Sequence, residues 1–198
     1  MIFRALSTYA QPEPRPSGSG QTREKSARGH LLSMAAYLIT FTCYGSYIPG
    51  QQGAIDRDHN APGSRLPSPR PKLRQHVDAS LKQAPYEMDS SQRAIVLKAI
   101  GEVCRYRCWR LLAAHVRSNH VHAVVDADLA PEAVMNAFKS YASRALNLHA
   151  PGHYGRIHWA RHGSTRYLWS PARVAAAVRY VLDKQGEPMA CYQAPERS

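Results

Sequence analysis

Asn119-His120-Val121-His122-Ala123-Val124-Val125 is a Val-rich stretch in which polar and apolar residues alternate before an apolar run takes over. Such a pattern reads as a buried strand. Successive strand side chains point to opposite faces, so His120 and His122 share one face, roughly 7 Å apart along the chain. Val121, Ala123 and Val125 then fill the core on the other. This spacing lets two imidazoles share one divalent metal, although histidines at i and i+2 are more often a polar edge. Their surroundings point to chemistry. A tyrosine follows on a basic helix, Phe138-Lys139-Ser140-Tyr141-Ala142, and the whole chain is strongly cationic.

Working outward, Trp109 to Val116 is a second strand, and Arg117-Ser118-Asn119 turns it into the histidine strand as an antiparallel hairpin. Upstream, Asp89 caps a helix that runs to about Tyr106, with Val96, Leu97, Ile100, Val103 and Cys104 on its core face. Downstream, Pro131 suits the first turn of a helix in which Val134, Phe138, Tyr141, Ala145 and Leu148 form one inward stripe. Tyr37 to Tyr44 is the first strand, and Arg161 to Trp169 a strand or hairpin edge. Ser170-Pro171 opens a last helix, with Val174, Val178, Val181 and Leu182 inward and Gly186 as its stop. The order strand, helix, strand, strand, helix, strand, helix predicts an α+β fold: a ferredoxin-like antiparallel sheet with helices packed mainly on one face.

Residues 1–33 are rich in Pro, Ser, Gly, Arg and Gln and read as a disordered N-terminal extension. Met34, just before the first strand, is an alternative start to Met1. A single domain over 34–190 follows, with a short tail at 191–198. Within it, 45–88 reads as a long irregular insertion, because Pro49, Pro62, Pro67, Pro69, Pro71 and Pro85 break any helix. Arg57, Arg65, Arg70, Lys72, Arg74 and Lys82 in it are available to a phosphate backbone.

A chain of 198 residues with 44% hydrophobic content can bury one ordinary core. The net charge of +12 points to a polyanionic partner, nucleic acid ahead of a membrane surface. No apolar run reaches the ~18 residues that suggest a membrane span. Cys43, Cys104, Cys108 and Cys191 are scattered, as in a reducing cytoplasm. A structural zinc site of Cys104, Cys108, His115 and His120 is disfavoured, because the Cys-to-His gap is half that of a zinc finger and the stretch has strand patterning.

Asn119-His120-Val121-His122 resembles the His-hydrophobic-His motif of the single-tyrosine HUH transposases, the insertion-sequence-200-like family that includes the REP-associated tyrosine transposases. Lys139-Ser140-Tyr141-Ala142-Ser143-Arg144 resembles their nucleophile helix. The opening strand Tyr37 to Thr42 and the tail Tyr167-Leu168-Trp169 through Tyr180-Val181 extend the likeness over roughly residues 35–190. The resemblance implies a DNA nuclease and strand transferase acting on single-stranded or hairpin DNA. It implies Tyr141 as the nucleophile forming a 5′-phosphotyrosine, a divalent metal (Mg²⁺ or Mn²⁺) on His120 and His122, and a homodimer. The expected setting is the cytoplasm, on the nucleoid.

Some branches carry a metal-binding glutamine one helical turn after the tyrosine. Ala145 stands there, which leaves Asn147, His149 or His115 as the third ligand. His115 qualifies only if the hairpin register pairs it with His122 or His120. Lys139, Arg144, Arg161 and Arg166 are the expected DNA contacts. The alternative is a domesticated hairpin-binding protein that no longer cleaves.

Overall fold

The computed structural model describes residues 35–46, 48, 68–149 and 154–195. The N-terminal extension, Met34, Arg57 and Arg65 lie outside the described residues. Five strands and four helices follow the expected order with two additions: β1 (Ala35–Cys43), α1 (Pro71–Ala79), α2 (Ser90–Tyr106), β2 (Arg110–Val116), β3 (His120–Ala127), α3 (Pro131–His149), β4 (Trp159–Leu168), α4 (Pro171–Asp183) and β5 (Ala190–Gln193). The sheet is antiparallel with strand order β4-β1-β3-β2-β5, so the histidine strand is central.

The helix starts are those that the caps dictate. Asp89 accepts from the Gln92 backbone N–H at 2.8 Å while Gln92 Oε1 accepts from the Asp89 N–H, a complete capping box. Ser170 caps α4 through the Arg173 N–H, with Pro171 in its first turn. Gly186 takes φ +74 three residues after α4 ends, a backbone conformation that side chains disfavour.

Two expectations need correction. The stretch 45–88 is not wholly irregular, since Pro71–Ala79 is helical: a proline costs nothing at the first helical position, where its missing N–H has no partner to lose. The C-terminal tail is also ordered in part, as β5 pairs with β2 from Ala113↔Gln193 to Val116↔Ala190.

Strand alternation divides the sheet into two faces. Ile39, Phe41, Val121, Ala123 and Val125 project into the main core with Val96, Ile100 and Val103 of α2 and Val134, Phe138 and Leu146 of α3. Fully burying a side chain such as Phe138 contributes about 1.5–3 kcal/mol. Leu38, Ala113, Val124 and Leu168 project to the opposite face, where Ala177 and Val181 of α4 cover them. Two helices therefore hold one face and α4 the other. Among the described residues no helix is long and apolar enough to cross a membrane.

Candidate functional site

The parity of β3 puts His120 and His122 on the α4 face with Val124, not on the face shared by α2 and α3. Their rings lie 4.8 Å apart, centroid to centroid, at 77°. His120 Nδ1–H donates to Asn119 Oδ1 at 2.7 Å, and His122 Nδ1 lies 2.7 Å from Thr40 Oγ1 on β1, its register partner. Each ring is thereby fixed through Nδ1, the arrangement that orients Nε2 of a ligand histidine.

Beyond β3, α4 and its exit loop complete the group. The Tyr180 ring meets His122 edge-on at 5.7 Å and 76°, and remains 44% exposed. Gln185 Nε2 donates to the Tyr180 carbonyl at 3.2 Å, and its side chain lies close enough to both imidazoles to oppose the lowering of their pKa values. Burial, reinforced by His120, pushes His122 down to about 4. Burial first and the Arg117 guanidinium second lower His120. Both imidazoles are thus held neutral, the form that binds metal.

His115 does pair with His122 in the hairpin register, as its candidacy required. Yet both of its ring nitrogens are engaged: Nδ1–H donates to the Val181 carbonyl at 3.0 Å and Nε2 accepts from the Met189 N–H at 3.2 Å. It anchors the end of α4 and the loop that follows, and is not a ligand. Arg117 reinforces that anchor by donating to the Glu187 carbonyl at 2.9 Å.

Tyr141 is not brought to the histidines. It packs against the α2/α3 core, with the Arg144 guanidinium over its ring at 5.6 Å. The helical stripe correctly turns Tyr141 inward, but inward for α3 means the face of Val121 and Ala123. The sheet lies between phenol and imidazoles. Asn147 and His149 ride on the same helix and are excluded with it. Lys139 is not a DNA contact either: it is 8% exposed, and its ammonium donates to the carbonyls of Ala160, His162 and Arg161 at 2.9, 3.1 and 3.4 Å. Arg144 is exposed on the far face, whereas Arg166, paired with Leu38, lies on the histidine side; Arg161 is exposed in the bulge of β4. The zinc set is also dispersed, because Cys104 lies in the α2/α3 core and His115 on the reverse. Among the described residues no three of His, Cys, Asp and Glu cluster as a metal site; the polar side chain beside the histidine pair is Gln185.

The chain belongs to the IS200-like transposase family, whose model matches residues 76–178 and so ends two residues short of Tyr180. No curated protein sequence matches. A solved structure of a REP-associated tyrosine transposase bound to a REP hairpin is similar at 12% identity, covering 80% of this chain and 71% of that chain, with a TM-score of 0.43.

Sequence reading missed Tyr180 and Gln185. The signal for the tyrosine was parity: α3 and the histidines claim opposite faces of β3, so the helix that covers the even-numbered face has to be the remaining one.

Proposed function

We propose that the protein is a divalent-metal-dependent DNA nuclease and strand transferase in which Tyr180, not Tyr141, is the nucleophile. The observation that carries this is the edge contact of Tyr180 with His122 beneath the Gln185 carboxamide. Two neutral imidazoles and an amide oxygen form a donor set that suits Mn²⁺ or Mg²⁺ once phosphate oxygens and water fill the remaining positions. His120, His122 and Gln185 would hold the ion, which when bound supplies charge compensation on the phosphate and on the departing oxygen.

In the chemical step the Tyr180 oxygen bonds to phosphorus as the bond from phosphorus to the 3′ oxygen breaks. The phenol proton passes to solvent, to which the side chain is open, and the 3′ oxygen takes up a proton on leaving. The 5′-phosphotyrosine retains the bond energy, so a 3′ hydroxyl can reverse the step and rejoin a strand. Asn119 and Thr40 orient the imidazoles throughout, and Arg117 adds positive potential beside them. Arg166 is proposed to contact the DNA backbone from the same face, and Arg161 from the adjacent bulge. Because Tyr180 and His122 meet within one chain, the homodimer expected from the resemblance is not needed to complete the site.

The test is covalent trapping of a labelled hairpin oligonucleotide with Mn²⁺. An adduct is expected for wild type and Tyr141→Phe and not for Tyr180→Phe. Its persistence in Tyr180→Phe overturns the assignment; its absence in all three identifies a binding protein that does not cleave.

A further inference from the structure

At the outer edge of β2, between α2 on one face of the sheet and α4 on the other, the covering is incomplete. β5 pairs only with Ala113–Val116, so the first half of β2, paired with β3 on one side, has no strand on the other. A cleft of about 1050 Å³ opens there between α4, the end of α2 and β5. Its floor is apolar, and its charged lining consists of Arg105, Arg110 and Arg179, with no acidic side chain. All three arginines are exposed, and among the described residues none forms an ion pair. A second cavity of about 470 Å³ shares Arg110 with the first and continues along α4 to Trp169, with Asp126 as its single acid. Trp169 is 74% exposed and stacks on Tyr167 at 4.8 Å and 5°.

We infer that this groove is the track for the single-stranded part of the DNA substrate, with phosphates on Arg105, Arg110 and Arg179 and a base stacked on Trp169. The inference rests on the reading of the site given above and names where its substrate lies. Cations over an apolar floor, with exposed aromatics at the margins, are the combination that grips a single strand without reading its sequence. Arg179 immediately precedes Tyr180 on α4, so the cleft and the phenol are borne by the same turn of one helix. An acidic peptide would satisfy the arginines but would leave the exposed Trp169 ring without a partner.

The experiment measures fluorescence anisotropy in EDTA, so that binding is read without cleavage, on one DNA hairpin with and without an oligo(dT) tail. For the Arg105→Ala/Arg110→Ala double variant, affinity for the tailed hairpin should fall about ten-fold and its salt slope by about 1.4, while the blunt hairpin is unaffected. The double lysine variant should recover the slope, and Arg144→Ala, on the far face, should leave both affinities unchanged. Equal losses for tailed and blunt hairpins, or no loss, overturn the track. Displacement of the tail by polyglutamate as readily as by oligo(dT) also overturns it, in favour of a peptide site. An adduct without arginine-dependent tail binding sinks only the track, and tail binding without an adduct sinks only the nuclease reading.

Discussion

His115→Val keeps the bulk of a fully buried side chain and removes both of its hydrogen bonds, leaving the Val181 carbonyl and the Met189 N–H without a partner. A buried polar group stripped of its partner costs about 1–3 kcal/mol, and the loss should appear as a lower urea midpoint. The same variant should bind Mn²⁺ more weakly, because the loop bearing Gln185 loses its anchor; an unchanged Mn²⁺ affinity in a destabilised protein would reduce His115 to a core residue. The histidines also set the response to acid. His122, near pH 6.5 when unfolded and about 4 when folded, binds its proton in the unfolded chain first. Stability contributed this way is present above pH 6.5 and is lost as pH falls toward 4, by about 3 kcal/mol for this residue alone. His115 and His120, also lowered, add to the loss in the same direction. Unfolding midpoints at pH 7 and pH 4 measure it, and a metal-free protein equally stable at both would contradict it.

At the scale of elements, the periodicities were legible because each is a local property: the alternation of β3, the capping box of α2 and the Ser-Pro start of α4 all require only neighbouring residues. What sequence could not show is which helix lies over which face. The pairing Thr40↔His122 makes the histidine face the reverse of the one α3 occupies, and that follows from tertiary packing. Lys139 was misread for the same reason. The register shift between Phe41 and Cys43 makes β4 bulge over residues 160–162, and the bulge turns three carbonyls toward α3, where a lysine satisfies them. Gly163 belongs to this device, since a Cβ there would sit 2.5 Å from the Thr40 carbonyl oxygen. Lys139→Met should therefore lower stability by about 1–3 kcal/mol and leave the salt dependence of DNA binding as in wild type. A shallower slope in the folded variant would return Lys139 to the DNA.

For the molecule as a whole, the decisive relation is that phenol and imidazoles belong to the same chain. His120 and His122 come from the central strand, while Tyr180 and Gln185 come from the helix and loop that lead to β5. Because β5 returns to pair with β2, and His115 and Arg117 hold the intervening loop, the C-terminal end of α4 is secured to its own sheet. Exchanging α4 between two copies would require breaking the β2–β5 pairing and both side-chain anchors, with nothing gained that one chain does not already supply. Mixing Tyr180→Phe with His122→Ala tests this directly, because each variant lacks what the other retains. If the site is assembled within one chain, the mixture forms no phosphotyrosine adduct at any ratio or concentration. If α4 is exchanged between subunits, every mixed dimer contains one intact site and the adduct reappears. Reappearance would show that the contact between Tyr180 and His122 is made across a dimer in solution.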